Sequence, residues 1–224
     1  MKATYKTLIK RVFSLVLTAV MMAQTAITVL PPTARAAEEI IPAVTAEVSS
    51  PYGNKLQLTD YLPKVIEYTD PISGFTHPGV GVTKEILENI QYQLRAGNEP
   101  WKSYFETMLL DAWFSGTEVG PTRKGGDFNN GHFISDASRA YAQAVMYFVT
   151  GNNAYRKNAL TIIRQYEDID PESLTYFTDA CIHTGIPTNK MCIAAEIIRY
   201  STYQITDGYT EGDLKWTDED TEKF

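Results

Sequence analysis

Between Ser135 and Tyr166 the chain reads SDASRAYAQAVMYFVTGNNAYRKNALTIIRQY. In its first half Ala137, Ala140, Tyr141, Ala144, Val145 and Phe148 recur at intervals of three and four, which predicts a helix with one apolar stripe. Ser135 stands where a side chain can accept a bond from a free amide, Asp136 suits the positive end of the helix dipole, and Gly151 supplies a left-handed close. After the turn Gly151-Asn152-Asn153 the spacing returns in Tyr155, Ala159, Ile162, Ile163 and Tyr166. The stretch is therefore an antiparallel helix hairpin. Two apolar stripes cannot bury each other completely, so the hairpin requires further helices around it.

The same signals recur on either side. Thr83 precedes a helix carrying Leu87, Ile90 and Leu94, which Gly97 ends. Asn98 and Pro100 then open a helix that sets Trp101, Tyr104, Phe105, Met108, Leu109, Ala112 and Trp113 on one face. Those aromatics are expected in the core, with Trp113 a candidate platform for a sugar ring. Downstream, Asp170-Pro171 breaks the pattern, and a loop with His183, Gly185 and Pro187 leads to a third strong helix from about Thr188 to Tyr203. That helix is apolar nearly all round, as an inner helix would be. Its exceptions are Glu196 and Arg199, three apart, which are expected to pair with each other or with a neighbour.

Between the hairpins, residues 115–134 form a long connection holding Arg123, Lys124 and the run Asp127-Phe128-Asn129-Asn130-Gly131-His132-Phe133. Helix hairpins need only a few linking residues, so a connection of this size is the first place to seek function. The alternative reading is that Asn129, Asn130 and Gly131 simply turn the chain and cap a helix.

The chain has 224 residues, of which 44% are hydrophobic and 21% charged, the make-up of one soluble domain with a substantial core. Its first 36 residues differ. Lys2, Lys6, Lys10 and Arg11 precede an apolar run from Val12 to Leu30 that ends in Ala34-Arg35-Ala36, the pattern of a secretory signal peptide; an uncleaved anchor is the competing reading. Loss of this leader removes five basic and no acidic residues, making the formal charge of −7 more negative by five. So acidic a protein is not suited to general nucleic-acid or anionic-membrane binding. Residues 37–74, with Pro42, Ser49, Ser50 and Pro51, read as a linker or irregular arm in which Asp70-Pro71 and Ser73-Gly74 make a turn. Export would permit Cys181 and Cys192 to pair, while a free thiol in an apolar helix is the alternative. At the other end, Trp216-Thr217-Asp218-Glu219-Asp220 opens a helix a few residues before Phe224, which suggests the N-terminal part of a longer, secreted (extracellular or periplasmic) protein.

His77, His132 and His183 fall in expected loops and none has a second ligand at helical spacing, so no metal site or cofactor is expected. A serine nucleophile elbow, a phosphate loop and a dinucleotide fingerprint are also missing. Asp127 and Asp136 are the carboxylates that a glycoside hydrolase would need to oppose.

Successive hairpins with inner and outer members suggest an all-α fold, an incomplete (α/α) toroid. Four segments narrow that choice: Phe75-Thr76-His77-Pro78-Gly79-Val80; Ala96-Gly97-Asn98-Glu99-Pro100-Trp101; Ala140-Tyr141 through Tyr147-Phe148-Val149-Thr150-Gly151-Asn152-Asn153-Ala154-Tyr155; and Ala195-Glu196-Ile197-Ile198-Arg199-Tyr200. In that order they resemble the N-terminal half of the alginate lyase family, within the chondroitin AC/alginate lyase superfamily, over about Phe75 to Phe224. The resemblance implies an exported lyase that cleaves a uronate polysaccharide by β-elimination. Such chemistry needs neutralisation of the C5 carboxylate, a base for the C5 proton and an acid for the departing C4 oxygen. The family motif Asn-Asn-His-x-x-Trp is partly echoed by Asn129-Asn130-Gly131-His132, with a glycine interposed and no tryptophan following. On this resemblance His132 and Asn130 are the catalytic candidates. Asn129, Arg123 and Lys124 would meet the acidic polysaccharide and Trp113 would stack on a sugar. A noncatalytic carbohydrate-binding or cell-surface module, and a hydrolase on the same frame, are the competing functions.

Overall fold

The structure, a computed structural model, describes residues 59–79, 81–111, 116–123, 130–170, 172 and 179–224. The expected signal peptide lies outside them. Among the described residues no helix is long and apolar enough to cross a membrane. The chain is mostly helical, and its helices pack against each other. A short antiparallel ribbon pairs β1 (Tyr68–Thr69) with β2 (Thr76–His77). Helices α1 (Lys84–Arg95) and α2 (Trp101–Leu109) follow, then the long α3 (Asn130–Thr150), α4 (Asn153–Arg164) and α5 (Ala180–Arg199), and two short helices, α6 (Glu211–Leu214) and α7 (Asp218–Lys223).

The α3–α4 hairpin forms as the apolar spacing requires. Ala137, Ala140, Ala144, Tyr147 and Phe148 of α3 are buried with Tyr155, Ala159, Ile162 and Ile163 of α4. The turn has the expected chemistry: Gly151 has φ +74°, and Asn152 accepts a bond from the Ala154 amide at 3.0 Å. A Cβ on residue 151 would also collide with the Tyr61 carbonyl and the Thr59 hydroxyl, because residues 59–61 run across this turn. The last carbonyls of α3 find donors beyond the helix. Gln91 bonds the Phe148 carbonyl at 2.7 Å, Arg95 bonds those of Val149 and Thr150, and the Thr59 amide also reaches Thr150.

Helix α5 is the third member of the core. Lys190 reaches Ser138 at 3.0 Å, and farther along both chains the Tyr147 hydroxyl donates to the Thr202 carbonyl at 2.7 Å. Helices α3 and α5 are thus parallel. Helix α4 runs back between their ends, with Asn158 on Gln143 and Tyr166 on Asp136. The small residues Ala137, Ala140, Ala144 and Ala194 are fully buried, which lets the helical backbones approach closely.

Two expectations are corrected, and the pairing of the two cysteines, left open by the sequence, is decided. Helix α3 begins at Asn130, five residues before Ser135, so Asn130-Gly131-His132 is its first turn rather than a loop. Helix α5 begins at Ala180 and ends at Arg199, so His183, Gly185 and Pro187 are helical; Pro187 forfeits one amide donor but does not stop the helix. Cys181 and Cys192 are both free thiols on that helix, separated by about 16 Å at 1.5 Å per residue, far beyond the span of a disulfide. In α2 the apolar face is only partly covered: Leu109 is buried, whereas Tyr104 is exposed and Phe105 and Met108 are half-buried. Ala112 and Trp113 lie outside the described residues.

Residues 59–74 belong to the packed body. The Ile66 amide bonds the Tyr200 carbonyl, and Val65 bridges Ser201. The expected turn joins β1 to β2: Asp70 Oδ1 accepts from the Ile72 and Ser73 amides, and Gly74 takes φ +70°.

Candidate functional site

The expected candidates His132 and Arg123 meet in one network at the start of α3, and its centre is a residue whose role sequence reasoning misjudged. Asp136, on the second turn, was expected to serve the helix dipole. It is instead fully buried and is bonded on every side. Its Oδ1 accepts from the Thr122 amide and the Thr122 hydroxyl, both at 2.8 Å; its Oδ2 accepts from the Arg123 amide at 3.2 Å and the Tyr166 hydroxyl at 2.7 Å. The carboxylate therefore ties the end of the long connection to α3 and to the end of α4. A carboxylate so occupied is not available to a hydrolase.

Thr122 passes this order on to His132. His132 Nδ1 lies 2.9 Å from Thr122 Oγ1. The one hydroxyl proton of Thr122 goes to Asp136, so its oxygen accepts from His132 Nδ1–H, and the neutral imidazole keeps its lone pair on Nε2. The His132 residue itself is exposed on the first turn of α3. Asp136, Thr122 and His132 thus form a relay that holds one tautomer, the arrangement a general base requires.

Arg123 has another occupation. It is buried, donates from Nη1 to the Gln165 carbonyl just past α4, and lies 5.4 Å from the centre of the Tyr166 ring. Burial, followed by the bond to Asp136, raises the Tyr166 phenol far above its usual range, so Tyr166 stays a donor. Near this network Lys190 of α5 reaches Ser138 of α3, and burial lowers the affinity of that amine for its proton. The backbone of Asn130 opens α3, while its side chain, and all of Asn129, Lys124, Trp113 and Asp127, lie outside the described residues.

A second chemical pair was not foreseen. Glu196, one of two polar exceptions on α5, receives His77 Nδ1 at 2.9 Å and the Gly79 amide at 2.9 Å. The partner expected nearby lies 119 residues away in sequence. The His77 ring stacks on Tyr200 at 4.9 Å, with Tyr68 and Phe75 beside it and both exposed. Sequence marked Glu196 as anomalous, but only the packing of β2 against α5 could name its partner. Among the described residues no cluster of three His, Cys, Asp or Glu side chains is placed to hold a metal ion.

No family model, curated protein or solved structure matches the chain.

Proposed function

We propose that this is an exported polysaccharide lyase, acting on an acidic, uronate-containing polymer such as alginate by β-elimination, its helices forming part of an (α/α) toroid. The observation that carries the reading is the Asp136–Thr122–His132 relay, which presents an imidazole with Nε2 as its basic atom. The signal-peptide pattern and the string of alginate-lyase-like segments support it independently. In this reading His132 Nε2 takes the C5 proton, the C4–O bond breaks as the C4=C5 bond forms, and the imidazolium returns that proton to the departing oxygen. One group serves both transfers if proton and leaving group share a face of the sugar. Lys190, about 9 Å farther along the helix axis at Ser138, is the candidate for neutralising the uronate carboxylate.

The test follows unsaturated product by its ultraviolet absorbance with alginate as substrate. His132→Ala lowers turnover at least 100-fold, Asn130→Ala lowers it less, and Thr122→Val, which removes the hydroxyl that orients the imidazole, lowers turnover without abolishing binding. Unchanged turnover in His132→Ala refutes the assignment. The second reading, a noncatalytic glycan-binding module, draws on the exposed Tyr68 and Phe75 beside His77. Retention on an alginate column with no product from the wild-type chain would establish it instead.

A further inference from the structure

A groove of about 290 Å³ opens at the other end of the α3–α5 pair, lined in part by Ile66, Arg156, Arg199, Ser201, Tyr203 and Trp216. Arg156 is 1% exposed. Its Nε donates to the Leu214 carbonyl at 2.6 Å and its Nη1 to the Ser201 hydroxyl at 3.0 Å. Its guanidinium carbon lies 5.1 Å from the centre of the Tyr147 ring and 4.6 Å from that of Tyr203. All four partners are neutral, and among the described residues no carboxylate pairs with this cation. Burial accordingly weakens its hold on its proton. A charge withdrawn from water normally finds an opposite charge, as Arg164 finds Asp220 at 2.7 Å.

Among the described residues the second cation of the groove also forms no ion pair with a carboxylate. Arg199 is exposed and lies over the Tyr200 ring at 5.1 Å. The nearest acid on its own helix is Glu196, and that carboxylate is occupied by His77 and the Gly79 amide. Two guanidinium groups, one buried and one at the surface, thus line an open space whose wall includes the Trp216 indole. That combination suits an oxyanion carried on a ring with apolar faces: the exposed Arg199 fork meets the oxyanion, the buried Arg156 charge adds its attraction from within the wall, and the indole covers the ring.

We propose that this groove is a binding site for an acidic sugar, separate from the His132 network. From His132 to Tyr147, against which Arg156 stacks, is about 22 Å along the α3 axis, so one sugar ring cannot occupy both places. The site does not depend on the lyase reading, since it requires only that the groove hold an anion.

The test titrates the full chain with glucuronate, glucose and sodium sulfate, following Trp216 by fluorescence and heat by calorimetry. Glucuronate binds saturably, glucose at least tenfold more weakly, and sulfate more weakly than glucuronate. Arg199→Ala, at an exposed position, weakens glucuronate at least tenfold, and Trp216→Phe weakens glucuronate while leaving sulfate unchanged. Equal affinity for glucose and glucuronate, no binding of either, or indifference to Arg199→Ala overturns the proposal; sulfate binding as tightly as glucuronate reduces it to an inorganic-anion site and overturns the sugar assignment. Saturable glucuronate binding that Arg199→Ala weakens, in a chain that releases no unsaturated product, leaves this proposal standing while the lyase reading fails; product release with no glucuronate response to Arg199→Ala does the reverse.

Discussion

At single residues, the strongest constraints are set by groups that sequence marks only faintly. Asp136 faces four donors, and an amide in its place would turn N–H groups toward N–H or O–H groups. Asp136→Asn is therefore expected to lose about 3 kcal/mol in urea unfolding and to free His132 from its tautomer. Gly151→Ala meets both a positive φ and the strand of backbone at residues 59–61, and is expected to cost about 2 kcal/mol or more by the same measurement. The two thiols differ in a way that labelling can read. Cys181 is exposed, whereas Cys192 is half-buried and its thiol is raised by burial and by Glu196, so mass spectrometry should find iodoacetamide on Cys181 first. Gly151 was legible as a turn because its neighbours announce it; Asp136 was not, because its donors come from Thr122, Arg123 and Tyr166 and no local pattern brings those together.

Among elements, the α3–α4 hairpin was readable because its stripes are local and strong. The starts of α3 and α5 were not. Asn129-Asn130-Gly131 has the composition of a turn, yet the relay from His132 through Thr122 to Asp136 uses the extra helical turn, and Pro187 resembles a stop although only one helix bond is lost there. The docking of α7 provides a pH test. Thr217 and Asp220 form a capping box, and Arg164 grips Asp220 from α4. Against burial, which would raise it, the Arg164 guanidinium and the capping bonds hold the Asp220 carboxyl well below its usual range. Glu167 faces this carboxylate with its Oε1 buried and, among the described residues, not hydrogen-bonded, and burial and Asp220, opposed by Arg164 and Lys223, push it up to about 7. A carboxyl raised in the folded state binds more protons there than in the unfolded chain. Stability from Glu167 therefore falls as pH rises from 4.5 to about 7, while that from Asp220 is present above 3.8 and fades below it. Thermal midpoints of Glu167→Gln should lose the downward limb between pH 4.5 and about 7 and keep the acid limb; an unchanged profile would remove Glu167 from this account.

Across the whole molecule, helix content and the apolar core follow from periodicity, whereas the relative placement of distant segments does not. Residues 59–74 carry no strong pattern, yet they contact Thr150, Tyr200 and Thr202 through backbone bonds, and β2 delivers His77 to Glu196. Backbone pairing is indifferent to side-chain identity, so sequence hardly records it. The same holds for the groove, whose cations come from α4 and α5 and whose indole comes from the segment between α6 and α7.

The crossing of residues 59–61 over Gly151 has one further consequence. Gly-Asn-Asn at a hairpin tip is the sort of sequence a protease would be expected to nick first. Here the overlying backbone denies an enzyme the extended access that cleavage needs, and Asn153 is itself buried with its amide bonded to Gln204 and Thr206. Brief digestion of the folded chain should therefore leave the Gly151–Asn153 peptide bonds whole, and trimming the chain to begin after Tyr61 should turn that tip into the earliest cut.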